Sequence, residues 1–136
     1  MPYSIYIASK FHSRYRLRPV KKELQELGYK VLSKWMDPDV NVDISSDNDS
    51  LGANIDESIA EAKRDCLEIG NSDIFIIDTQ DESSTGGREV ELGMAIIAVC
   101  KIFRIGPIRN VFHAMLTEFK SWPALITHLE KEFPND

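Results

Sequence analysis

The stretch Thr85-Gly86-Gly87-Arg88-Glu89-Val90-Glu91-Leu92-Gly93-Met94-Ala95 decides the fold, read with Asp73-Ile74-Phe75-Ile76-Ile77-Asp78 before it and Ile96-Ile97-Ala98-Val99 after it. An apolar run closed at both ends by carboxylates reads as a buried strand. A glycine-bearing turn follows, and then a buried helix. The spacing predicts that helix from about Arg88 to Val99, apolar nearly all round, with Glu89 and Glu91 in its first turn. Free backbone N–H groups and the positive end of the helix dipole keep a carboxylate ionised there. An ionised carboxylate at the carboxyl end of a central strand suits a nucleophile. Acidic residues also occur in first turns merely because they stabilise the turn.

The same reading extends in both directions. Tyr3 to Ala8, rich in β-branched and aromatic residues, is a first and central strand, and Ser9 to Arg14 a polar loop. Leu17, Val20, Leu24 and Leu27 recur at helical spacing, with Pro19 in the first turn and Gly28 as the stop. Tyr29 to Trp35 is a second strand. Met36 to Gly52 has no period and reads as a loop of the lid or binding kind. Its acidic run from Asp37 fails as a calcium loop, with Val42 where glycine is needed and Asn48 where a bidentate Glu is needed. Asn54 and Glu57 form a capping box for a helix whose buried seam is Ile55, Ile59, Ala62, Cys66 and Ile69. Asp65 lies beside that seam. Lys101 to Ile105 is a short strand ended by Gly106-Pro107, a brief strand lies near Glu118-Phe119, and Ser121 caps a last helix with Pro123 in its first turn. Helices alternating with strands over short connections imply one α/β domain, residues 1–136, built on a parallel sheet covered on both faces.

Composition narrows the function. The chain has 136 residues, 43% hydrophobic and 28% charged, the balance of a soluble globular protein. A formal net charge of -6 argues against long nucleic acid as a partner. No apolar run is long enough to span a membrane and the N-terminus lacks a secretion signal, so the cytoplasm is the default. Cys66 and Cys100 read as buried free thiols, and His12, His113 and His128 as surface or edge residues without metal-ligand spacing. The glycine patterns of dinucleotide and triphosphate sites are missing, as is a nucleophile elbow around Ser4 or Ser9; no cofactor and no metal are expected.

In such a sheet ligands collect where the strand order reverses. Three loops converge there if the first and third strands flank the reversal: Ser9–Arg14, Thr79–Gly87 and the segment after Ile105. Glu91, Ala95 and Ala98 share a helical stripe and Gly93 removes bulk. That leaves room for a ring or a sugar, and equally permits close helix–sheet packing. Lys10, Arg14 and Arg88 can offset an anion's charge, with Ser9, Thr85 and the amides of Gly86 and Gly87 as donors; as surface charges they need no such role.

These residues resemble a known family. Tyr6-Ile7-Ala8-Ser9 with Arg14 downstream, Asp65 eight residues before Asp73, Glu91-Leu92-Gly93-Met94-Ala95 as E-x-G-x-A, Gly106-Pro107-Ile108-Arg109-Asn110-Val111-Phe112-His113 and Phe119-Lys120-Ser121-Trp122 are similar to the nucleoside 2-deoxyribosyltransferases and the deoxynucleoside 5'-monophosphate N-glycosidases. The resemblance implies a flavodoxin-like three-layer sandwich with five parallel strands in the order 2-1-3-4-5. It implies Glu91 as the nucleophile that attacks the anomeric carbon of deoxyribose, and Asp65 near the sugar or base. A proton donor near the base would assist its departure, with Asp65 and Asp78 as the candidates. Ser9, Lys10, Arg14, Asp78, Thr85, Gly87 and Arg88 would bind substrate. Asn110 would be lent to a neighbouring subunit's site, which makes a homodimer or larger the expectation. The substrate would be a deoxynucleoside or its 5'-monophosphate, with a nucleobase as acceptor where transfer replaces hydrolysis. Thr85, six residues before Glu91, is closer to the serine of the monophosphate hydrolases than to the aspartate of the transferases, and so leans towards phosphate. The rival readings are a non-catalytic nucleotide-binding module and a protein-interaction domain of the same architecture. The latter predicts a large exposed apolar patch and no enclosed cleft beside Glu91.

Overall fold

The computed structural model describes residues 2–40, 55–83 and 86–135. Among these, β1 is Ser4–Ala8, α1 Arg14–Glu26, β2 Lys30–Val31, α2 Ile55–Gly70, β3 Ile74–Asp78, α3 Gly87–Ile97, β4 Lys101–Ile105, β5 Thr117–Phe119 and α4 Trp122–Glu132. The five strands form one sheet in the order β2-β1-β3-β4-β5, every pair parallel. β1 and β3 lie side by side at its centre, Tyr6 opposite Phe75 and Ala8 opposite Ile77, and all their residues are buried. Helices on both faces leave no wet side, which is why both strands are almost continuously apolar.

The helices form two layers. In one, α2 packs on α3. In the other, α1 and α4 are tied through Asp78 at the end of β3. Arg16 of α1 grips both carboxylate oxygens at 3.0 Å, and the indole N–H of Trp122, on α4, donates at 2.9 Å. The far end of this layer closes where the Tyr29 hydroxyl donates to the Phe133 carbonyl at 2.9 Å. The chain leaves β1 towards β2 and leaves β3 towards β4, so the reversal falls between β1 and β3 and opens a crevice at their carboxyl ends.

Several local expectations need correction. α1 begins at Arg14, directly after a 3-10 turn at Phe11–Ser13, so Pro19 sits beyond the first turn and removes one helical hydrogen bond. β2 is only Lys30–Val31. Beyond it, side chains continue the ladder along β1: Ile7 donates its N–H to Ser33 Oγ at 3.2 Å, and its carbonyl accepts from Trp35 Nε1 at 2.6 Å. The apolar residues after Val31 therefore mark a turn that mimics a strand. Of the seam expected on α2 only Ile69 is buried; Ile55, Ile59, Ala62 and Cys66 are exposed. Nor is α3 buried all round. Its inward stripe is Arg88, Leu92 and Ala95, whereas Val90 and Ile97 are 65% and 83% exposed. The sheet needs one face of each helix, and the surplus apolar residues point outwards. Cys100 is half-buried, and His113, expected at the surface, is fully buried. The Asn54 cap and most of the loop from Met36 to Gly52, with Val42 and Asn48 of the rejected calcium pattern, lie outside the described residues.

Gly106 ends β4 at φ +116°, where a Cβ would stand 2.6 Å from the Gln80 amide and from Thr79 Oγ1. That close approach lets the Thr79 hydroxyl donate to the Pro107 carbonyl at 2.7 Å and pins the loop after β3 to the loop after β4.

Candidate active site

Side chains alternate along β1, and Tyr6 points towards the layer of α2 and α3. Its ring stacks on Phe75 with the planes 5° apart, and its hydroxyl donates to Glu91 Oε2. Glu91 comes from the second turn of α3 and Asp65 from the middle of α2. Both line a cavity of about 360 Å³ whose walls include Ser9, Lys10, Trp35, Ser83, Gly87 and Arg88. β1 thus supplies the tyrosine, α3 one carboxyl and α2 the other, at the mouth of the crevice.

The electrostatics differ from the expectation of a carboxylate kept ionised by a helix N-terminus. α3 starts at Gly87, so Glu91 lies past the free amides of the first turn. Burial pushes the Glu91 carboxyl up to about 8; the Tyr6 hydrogen bond opposes the rise, and the charges of Asp65 and Glu68 add to it. Burial likewise raises Asp65 to about 7, against the nearby Arg64 and with Glu68 and Glu61 reinforcing it. Arg64 is drawn to Glu61, and Asp65 Oδ1 is buried with no hydrogen-bond partner among the described residues. The two acids act as a coupled pair that holds a proton near neutral pH. The phenol of Tyr6, deep in the core beside both, is itself held well above its ordinary range, first by burial and then by Glu91. It therefore stays a hydrogen-bond donor.

Of the residues singled out in the sequence, Ser9, Lys10, Asp65, Gly87, Arg88 and Glu91 meet at this cavity. Arg14, Asp78 and Asn110 do not line it. Arg14 stacks on Phe11 at 4.2 Å and donates to the Val40 carbonyl at 2.5 Å. Asp78 is saturated by Arg16, Trp122 and Gln80. Asn110 donates to Glu89 at 3.0 Å. Thr85 lies outside the described residues. Tyr6 was absent from the sequence-derived candidates, although a tyrosine inside a buried strand must find a partner for its hydroxyl, and that is a usable signal. Among the described residues no cluster of three or more His, Cys, Asp or Glu is arranged to hold a metal ion, and no helix is long and apolar enough to cross a membrane.

No protein family profile matches the chain, and no curated protein matches it. Solved structures do. A 2-deoxyribosyltransferase from the psychrotolerant bacterium Bacillus psychrosaccharolyticus matches with a TM-score of 0.68 at 22% identity, over 90% of this chain and 89% of that one. A CMP N-glycosidase from Clostridium botulinum matches with a TM-score of 0.56 at 17% identity, over 94% of this chain and 98% of that one. At these identities the likeness establishes the shared α/β fold along nearly the whole chain.

Proposed function

We propose that this protein cleaves or transfers the N-glycosidic bond of a 2'-deoxynucleoside or its 5'-monophosphate, with Glu91 as nucleophile. The observation that carries the reading is a carboxyl group gripped by a tyrosine hydroxyl and facing a cavity beside a second acid. At about 360 Å³ the cavity is of the size that takes a small ligand. The two enzymes that share the fold, a deoxyribosyltransferase and a CMP N-glycosidase, support the same class of bond.

The chemistry divides the single proton of the acid pair. Glu91 holds its proton the more tightly of the two, so the reactive form is the one in which the proton stands on Asp65; there the Tyr6 hydrogen bond stabilises Glu91 as the carboxylate. It attacks the anomeric carbon as the carbon–nitrogen bond to the base breaks, and Asp65 gives its proton to the departing base. Deoxyribose lacks the electron-withdrawing 2'-hydroxyl, so the positive charge that develops on the sugar is tolerated. Water or a second base then displaces Glu91 from the opposite side, and two inversions retain configuration. Ser9, Lys10, Gly87 and Arg88 contact the rest of the substrate.

The exposed apolar residues of α2 and α3 fit the rival interaction reading. The cleft beside Glu91 does not, and self-association into a dimer or larger accommodates both.

The test is release of free base from deoxynucleosides and their monophosphates, with and without an acceptor base. The parent is expected to turn over at least one of them. Glu91→Gln should lose about a thousandfold or more in kcat while still binding substrate. A parent that releases no base from any of them overturns the assignment.

A further inference from the structure

A second polar cluster lies on the other side of α3. His113 is fully buried, and its Nδ1 accepts the Arg109 backbone N–H at 3.1 Å. The ring proton is therefore on Nε2, which donates to the Glu89 carboxylate at 2.8 Å. Asn110 Nδ2 donates to the same carboxylate at 3.0 Å, and Arg88 Nε at 3.2 Å. Asn110 Oδ1 in turn accepts the backbone N–H groups of Phe112 and His113. Behind them, Arg104 Nε holds the His113 carbonyl at 3.1 Å. Three donors from two segments thus converge on one carboxylate in the first turn of α3. Burial opposes its charge, but the hydrogen bonds from His113 and Asn110 hold the Glu89 carboxyl below its ordinary range.

We propose that Glu89, clamped by His113 and Asn110, is a positioning residue that sets where the neighbouring carboxyl of Glu91 stands. The inference rests on the reading of Glu91 given above. Residues two apart on a helix point about 200° from each other, so Glu89 anchors one side of α3 while Glu91 works on the other. A turn of the helix by about 10° moves a side-chain tip some 6 Å from its axis by about 1 Å. A displacement of that size at a reacting atom costs about a hundredfold in rate. On this account Asn110 serves its own chain, since both ends of its amide are engaged there.

The experiment compares Glu89→Gln, His113→Leu and His113→Gln with the parent. Two readouts are followed: kcat and KM for base release from a deoxynucleoside, and the titration of the Glu91 carboxyl by carbon-13 NMR, assigned with Glu91→Gln. Glu89→Gln sets an amide N–H against three donors, and His113→Leu removes one of those donors. Both should lower kcat about tenfold to a hundredfold with KM changed less than about threefold, and both should move the Glu91 titration further up, as the carboxyl loses the Tyr6 hydrogen bond that opposes its rise. His113→Gln keeps a side-chain N–H for Glu89 and should restore most of both. Equal losses in His113→Gln and His113→Leu would reduce the cluster to packing and overturn the proposal, as would an unshifted Glu91 titration in folded Glu89→Gln. The NMR readout needs no turnover. A parent without activity but with the expected shifts in the variants would sink the glycosidic assignment and leave the positioning role standing.

Discussion

At the scale of single residues the central fact is a carboxyl group buried where its charge is unwelcome. Glu91 is raised to about 8 by burial, and then by Asp65 and Glu68. A folded-state value above the unfolded one means that the folded chain holds the proton more tightly. The associated stability is complete below the unfolded value, near 4.5, and is lost as pH rises through about 8. Glu91→Gln removes the penalty, so the variant should be more stable than the parent at pH 9, by up to roughly 5 kcal/mol, with the difference closing towards pH 4. Urea denaturation of both proteins at the two pH values measures this; a difference that does not change with pH would refute it. Glu91 itself is legible in the sequence from a strand, a glycine turn and the pattern E-x-G-x-A. Its protonation is not, because that depends on Tyr6, Asp65 and Glu68, which are brought beside it only by tertiary structure. His113 escapes sequence reading for the same reason: it looks like a surface residue until the loop after β4 is laid against α3, and Glu89, legible as a first-turn carboxylate, meets its partners only then.

At the scale of elements, most boundaries follow local chemistry, and the exceptions lie at edges. Gly28 ends α1 at φ +98°, and Ser121 Oγ caps α4 through the Ala124 N–H at 3.2 Å, both as the residue types dictate. β3 and β4 are also where the apolar runs put them. β2 is shorter than its composition suggests because side chains replace its backbone ladder, an arrangement no propensity encodes. The end of α3 breaks the rule that α1 obeys. Val99 donates to Ile96 and Cys100 to Ala95, the paired bonds of a Schellman motif, yet the left-handed position is held by valine at φ 61° instead of glycine. A β-branched residue is strained there, and at 87% exposure Val99 buries little in return. Val99→Gly should therefore stabilise the chain by about 0.5–1 kcal/mol, read as a higher denaturation midpoint with the slope unchanged. An unchanged or lower midpoint would show that Val99 is not under strain.

For the whole molecule, periodicity reports which residues are apolar but not how many of them the chain can cover by itself. The sheet and the inner faces of the helices are legible on that basis. The outer groove lined by Cys66, Val90, Gly93, Met94, Ile97 and Ala98 is not, because the same pattern reads as core. That groove shares Cys66, Val90 and Met94 with the cavity beside Glu91. If the chain self-associates through it, light scattering will give the parent a mass of at least two chains. Ile97→Glu, at a site 83% exposed, will lower that mass while changing monomer stability by less than about 0.5 kcal/mol. A parent that stays monomeric, or a variant of undiminished mass, rejects the groove as the contact. The pairing of Tyr6 with Glu91 has a kinetic consequence as well. The two residues are 85 positions apart, and they meet only after β1 has found β3 and α3 has docked on both. Such long-range parallel pairing is slow to assemble, because the entropy of closing a long loop is lost before any contact compensates for it. During synthesis β1 leaves the ribosome well before α3 exists, so the Tyr6–Glu91 pair forms late, and a half-folded chain has not yet brought the acid to its grip.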